Sequence, residues 1–221
     1  MRTAVERRFP GCVAVFLQGC SGNIRVQILN DDRTEWIKGT PETARRFGLD
    51  LADAVERAVC RTGDSIAGPI EARSAEIQAP LAGLAAGKTW PFRIQAFRLG
   101  AQSEHPFVLL ALGAEPFVEY SLELERRLKP AHTIVIGCAN GMAAYLPTAK
   151  ACEEGGYEPN AWGENWYALP GPYAAEAEAV VLDAAERLAR PKWACPAAGA
   201  DPGLISTSNH RGVAWSCEAR P

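Results

Sequence analysis

Residues 107–157 read FVLLALGAEPFVEYSLELERRLKPAHTIVIGCANGMAAYLPTAKACEEGGY. Phe107–Leu112 is nearly all apolar and reads as a buried strand. Pro116 opens a helix whose buried stripe is expected to be Phe117, Val118, Ser121, Leu122, Leu124 and Leu128, with Glu123, Glu125, Arg126 and Arg127 mostly solvated. His132–Ala139 is the next strand. Two strands joined by a helix of this length predict a parallel βαβ crossover. Glu115 stands where the first strand hands over to the helix, and Tyr145 lies beyond the end of the second. Polar side chains at the exits of adjacent strands are a common way to build a site in an α/β protein.

Towards the N-terminus, Phe92–Leu99 and Ile70–Ala79 alternate apolar and polar positions, as half-exposed strands do. The polar GAQSEHP connection makes residues 92–99 and 107–112 antiparallel neighbours, and residues 80–91 read as a loop. Thr40-Pro41 opens a helix running to about residue 62, with Ala44, Phe47, Leu51, Val55 and Ala58 facing a core. Gly11–Gln18, GCVAVFLQ, is rich in β-branched and aromatic residues and reads as a buried strand ending in the glycine turn GCSGN. Towards the C-terminus, residues 173–190 form a helix with Ala177, Val181, Ala184 and Leu188 on one face, stopped by Pro191. The expected organisation is one α/β domain over residues 1–190, a mixed sheet with flanking helices, and a loosely packed tail over 191–221.

The 221-residue chain carries a formal net charge of −3 and 48% hydrophobic residues. That composition suits a globular domain and does not suggest a nucleic-acid surface. No apolar run reaches the ~20 residues of a membrane span. The first ten residues lack the apolar core of a signal peptide, and the compartment is left open. Seven cysteines at irregular spacing fit small core residues better than a disulfide scaffold. His105, His132 and His210 share no metal-binding spacing.

By residue type alone, Glu115 is read as a carboxylate serving its own helix start, and Tyr145 as a core aromatic with a satisfied hydroxyl. A carboxylate is also a good zinc ligand. Tyr157 follows Gly155-Gly156 and reads as a loop anchor, and Asn140-Gly141 reads as a turn. The 19–23 turn could offer backbone N–H groups to an anion. It matches neither a phosphate loop nor a nucleophile elbow. Cys20 reads as a buried or turn cysteine.

The succession VFLQGCSGNI, LLALGAEPFVEY and IVIGCANGMAAYLPTAKACEEGGYE resembles the neutral/alkaline non-lysosomal ceramidase family, in particular its bacterial members of unassigned substrate. The resemblance runs in order over roughly residues 9–190. It implies the C-terminal half of the family's α/β catalytic domain and zinc-dependent cleavage of an amide, lipid-like or otherwise N-acylated. It makes Glu115, in GAEPF, and Tyr145, in YLPT, zinc ligands. It makes Tyr157, in GGYE, the catalytic contact to the substrate amide, and places Asn140 among the substrate-binding residues. The two zinc histidines of the family lie in an upstream segment with no counterpart here, so the chain is expected to begin midway through the domain and to carry half of the Zn2+ site. Where ceramidases carry a serine in a G-N/D-x-S-P pattern, GNIRV has Arg25, with Val26 at the proline. A serine nucleophile is therefore not expected. Arg25 instead suits a carboxylate or phosphate on the substrate. The alternative reading is a truncated or degenerate relative that binds a ligand or partner without catalysis. Either way, an incomplete domain is expected to expose apolar strand surface and to self-associate.

Overall fold

The computed structural model describes residues 1–61, 63, 66, 68–100, 105–161 and 169–190, and the backbone of 205–207. The chain divides into two compact units. The first comprises residues 1–17 and 25–65, and the second comprises residues 18–24 and 66–221.

The second unit is built on a mixed sheet. Strands β1 (Ile70–Pro80), β2 (Thr89–Leu99) and β3 (Phe107–Leu112) form an antiparallel meander. β3 then pairs in parallel with β5 (His132–Ile136), with Phe107 opposite His132. A further strand, β7 (Ile205–Thr207), pairs antiparallel with β1, so the order is β5-β3-β2-β1-β7. Helix α3 (Val118–Arg127) makes the crossover from β3 to β5. A separate two-stranded ladder joins β4 (Glu115–Pro116) to β6 (Tyr145–Leu146) in parallel. The short helix α4 (Ala149–Glu154) and the long α5 (Ala177–Ala189) complete the unit. The expected mixed α/β sheet with flanking helices is what the chain forms.

The core follows from the two periodicities. On β2, Phe92, Ile94 and Ala96 are buried, and so are Val108, Leu110 and Leu112 on β3. They meet Tyr120, Leu124 and Leu128 of the α3 segment and Ala177, Val181, Ala185 and Leu188 of α5 in one cluster. Each large apolar side chain buried there contributes about 1.5–3 kcal/mol. The expected α5 face is the buried one. The α3 stripe is corrected: Leu122 is 60% exposed, and Tyr120 takes the inward position. The helix also starts later than expected, because Pro116 is held in the β4–β6 ladder and Val118 is the first helical residue. The expected 80–91 loop shrinks to residues 81–88, because β1 and β2 extend towards each other to Pro80 and Thr89.

Arg127 ties α3 to α5. Its guanidinium donates to Glu123 at 2.7 Å, to Asp183 at 2.8 Å and to Glu186 at 3.2 Å. Hydrogen bonds from Arg126 and Arg127 hold the Glu123 carboxyl down at about 2. Glu186 is also lowered, first by Arg190. A carboxyl depressed in the folded state adds stability that is complete above its ordinary pKa and is lost as pH falls through the depressed value. The denaturation midpoint of the wild type should therefore fall between about pH 4.5 and 2. Arg126→Gln/Arg127→Gln should show a visibly shallower fall over that window; equal slopes would remove the network from the acid response.

The first unit holds helices α1 (Arg2–Arg8) and α2 (Pro41–Val59). Thr40 caps α2 in a reciprocal capping box with Thr43, followed by Pro41 at the first position, as the sequence predicts. Arg8 of α1 pairs with Asp53 and Glu56 of α2 at 2.5 and 2.9 Å. Two expectations are corrected here. The α2 face does not close over a core: Ala52 is its buried residue, whereas Leu51 and Val59 are exposed. The segment 11–18 is not a buried strand. Val13 is 80% and Val15 72% exposed, and Phe16 and Leu17 are exposed too. The physical reason lies in its hydrogen bonds. Glu6 accepts from the Ala14 N–H at 3.1 Å, and the Arg2 Nε–H donates to the Ala14 carbonyl at 2.9 Å. Side chains of α1 thus occupy backbone groups that a strand would offer to a ladder. Among the described residues, the predicted tail is represented by β7 alone; the remainder of 191–221, including Pro191 and His210, lies outside them, as does the separate stretch 162–168.

Candidate functional site

The β4–β6 ladder brings together two residues 30 positions apart. Glu115 and Tyr145 are direct partners in a parallel pair. The Glu115 N–H donates to the Ala144 carbonyl at 3.0 Å, and the Phe117 N–H to the Leu146 carbonyl at 3.1 Å. Paired residues on neighbouring strands point to the same side, so the carboxylate and the phenol stand side by side. Both residues are half-buried.

Local structure delivers a third side chain. Thr148 caps α4 by accepting from the Ala151 N–H at 3.1 Å. Gly155 and Gly156 then take φ of 73° and 111°, a region glycine enters at little steric cost. The chain turns there, and the Tyr157 ring meets the Tyr145 ring edge-on, with centroids 6.1 Å apart. Tyr157 is exposed. The sequence candidates Glu115, Tyr145 and Tyr157 therefore converge.

Two other candidates have partners of their own. Asn140 follows the exit of β5 with φ of 61°, and its carboxamide donates to Gln95 Oε1 at 2.7 Å. Arg25 belongs to the first unit, where its guanidinium stacks over the Trp36 ring at 5.0 Å. His105 and His132 lie together, with ring centroids 5.9 Å apart, at the N-terminal ends of β3 and β5. Glu115 follows the opposite, C-terminal end of β3.

Residue-level reading missed what the GCSGN turn does. Ser21 Oγ donates to Glu115 Oε1 at 3.3 Å. The Gly22 N–H donates to the Pro116 carbonyl at 2.9 Å, so that N–H is directed at protein rather than at an anion. Asn23 Oδ1 accepts from the Val118 N–H at 2.8 Å, and its Nδ2 donates to Glu119 at 2.8 Å. Asn23 thereby caps α3 from about 95 residues away in sequence. Gly22 is required: a Cβ there would lie 2.8 Å from both the Glu115 carbonyl and the Phe117 ring. The polar residues of the turn were visible, but their partners lay far beyond any local pattern.

Cys138, next to the site, adopts φ of 52° and is exposed. Partial desolvation first, and then the negative charge of Glu115, raise its thiol pKa. Burial pushes Cys20 up to about 12. Neither cysteine is activated as a nucleophile, because the thiolate is the reactive form.

A zinc ion can be tested against this donor set. Glu115 and Tyr145 supply two adjacent oxygen donors of the right type. Among the described residues, no group of three or more His, Cys, Asp or Glu side chains could hold a metal ion. Zinc takes three or four protein ligands. The pair fits part of a zinc shell and does not close one.

No protein-family model matches the chain, and no curated protein matches it. Among solved structures, it is similar to the neutral ceramidase from Pseudomonas aeruginosa, with a TM-score of 0.59. The match covers 84% of this chain and 39% of that one, at 15% sequence identity. The fold is therefore mixed α/β and ceramidase-like. The chain spans well under half the length of the solved relative. No described helix is long and apolar enough to cross a membrane.

Proposed function

We propose that this chain contributes Glu115 and Tyr145 to a zinc-dependent amide-hydrolase centre of neutral-ceramidase type, acting on a lipid-like or other N-acyl amide. The observation that carries the reading is the direct pairing of Glu115 with Tyr145 in a parallel ladder. The remaining ligands, histidines by resemblance, come from outside this chain. A bound zinc would polarise the amide carbonyl and acidify a water. The protein's own groups do the rest. Ser21 orients the Glu115 carboxylate through its hydrogen bond. Tyr157, exposed beside Tyr145, offers a phenolic donor to the amide oxygen. By residue type, Arg25 suits an anionic group on the substrate; an Arg25→Ala protein equally active on anionic and neutral amides would exclude that role.

Elemental analysis tests the reading on the chain expressed with its genomic upstream sequence. Zinc should be stoichiometric, and Glu115→Ala should lower occupancy at least ~10-fold, as loss of a ligand does. Ser21→Ala should weaken zinc affinity by about tenfold through the misoriented carboxylate. No zinc in the extended wild type would leave the second reading, a non-catalytic binding domain. The exposed apolar segment Val13–Leu17 favours that second reading, since such surface suits association.

A further inference from the structure

A groove of about 580 Å³ lies between α3 and α5. Residues at three- and four-residue steps line it from both helices: Glu119, Leu122 and Arg126 from α3, and Ala175, Ala179 and Leu182 from α5 and the turn before it. Ala149, the first residue of α4, lines it too. Its exposed lining is mostly apolar. Leu122 is 60% exposed and Leu182 is buried, so apolar surface reaches from solvent to the floor.

The charges around the groove do not cancel. Arg126 and Arg127 are paired with Glu123, and Arg127 also with Asp183 and Glu186. Glu119 and Glu178 also line the groove, and among the described residues neither forms an ion pair. They accept from neutral donors, Asn23 Nδ2 at 2.8 Å and the Ala149 N–H at 2.7 Å. An apolar floor beside two unmatched carboxylates is complementary to apolar side chains flanked by cations. The occupant's backbone must be satisfied as well. The helices on either side bond their own backbones, so an extended segment on the apolar floor would leave its N–H and C=O groups unpaired, whereas a helix pairs its own. Ala175 and Ala179 leave room for a third helix to seat its ridge between the two.

We propose that the α3–α5 groove receives an amphipathic basic helix of a partner protein, with apolar side chains against Leu122, Ala179 and Leu182 and Lys or Arg beside Glu119 and Glu178. α3 is 10 residues long, so the contact spans about three helical turns. The surface is independent of the zinc reading, since Glu115, Tyr145 and Tyr157 do not line the groove.

Fluorescence anisotropy on the full chain tests this. The probe is a fluorescein-labelled peptide of about four helical turns, with Leu at i, i+3, i+4 and i+7 and Lys elsewhere. Saturable binding is expected, at least ~10-fold weaker for the same peptide with Glu in place of Lys and for one broken by a central Pro. Glu119→Gln/Glu178→Gln keeps the acceptor oxygens for Asn23 and Ala149 and removes the charges, so binding should weaken by about 5-fold. Leu122→Asp should weaken it at least ~10-fold, the scale of one buried leucine contact. Leu122 is exposed, so that variant's thermal midpoint should move by no more than about 2 °C. The proposal is overturned by no saturable binding of the Lys peptide, by a Glu or Pro peptide that binds as tightly, or by affinity unchanged in both groove variants. Self-association of the wild type that Leu122→Asp abolishes would make the occupant a second copy of this chain and overturn it too.

Discussion

Gly137→Ala is expected to destabilise the second unit by about 2–3 kcal/mol, the scale of overpacking in a filled core. Gly137 directly follows β5. A Cβ there would lie 2.5 Å from Pro116 Cδ, 3.2 Å from its Cγ and 3.3 Å from the Ala114 carbonyl. Pro116 cannot yield easily: it is fully buried, its ring is rigid, and it is paired with Leu146. The Gly137 N–H is also fixed, donating to the Gln18 carbonyl at 3.0 Å. Relief must come from separating β5 from the β4–β6 ladder, which carries Glu115 and Tyr145. Urea denaturation measures the loss. Pro116→Ala removes the offending Cγ and Cδ, so the double variant should recover more than half of the Gly137→Ala deficit. Strict additivity of the two losses would show that the ring is not the obstacle.

Tyr120→Ala is expected to cost more, about 3–5 kcal/mol, as for a large aromatic lost from a core. The side chain is fully buried between α3 and the sheet cluster. Its hydroxyl donates to the Pro147 carbonyl at 3.0 Å, which fastens the Tyr145–Thr148 segment to α3. Tyr120→Phe keeps the ring and loses only that bond, so about 1 kcal/mol should go. A Phe variant as damaged as the Ala variant would mean that the ring contributes little. The pH response separates the two roles further. Burial first, and then Glu178, raise the Tyr120 pKa well above the ordinary value. The unfolded chain ionises first, so this contribution is complete below about pH 10 and is lost as pH rises beyond it. The alkaline fall in the denaturation midpoint should be shallower in Tyr120→Phe than in the wild type.

Legibility differed by residue. The β3–α3–β5 crossover and the buried face of α5 could be read because strand and helix periodicities repeat within a few residues. The Thr40-Pro41 helix start could be read because its cap is local. Leu122 and Tyr120 were exchanged because Leu122 was counted for its apolarity, whereas Phe117, Tyr120, Leu124 and Leu128 are the residues that recur at three- and four-residue steps on the buried face. Segment 11–18 misled for a different reason. Its composition is that of a buried strand, but composition states a preference for burial and does not supply the neighbour that provides it.

The sequence by itself determined β1, β2, β3, α3, β5 and α5 of the second unit, though not β4, β6, α4 or β7, and it set Glu115 and Tyr145 beyond strand ends. Only the tertiary structure decided that these two are ladder partners, that Ser21 bonds the carboxylate, and that Asn23 caps α3. It also decided that Arg25 stacks on Trp36. The physical reason is range. Backbone periodicity and capping are fixed within about one turn of chain, whereas a site is assembled from segments whose pairing depends on the whole core closing around them.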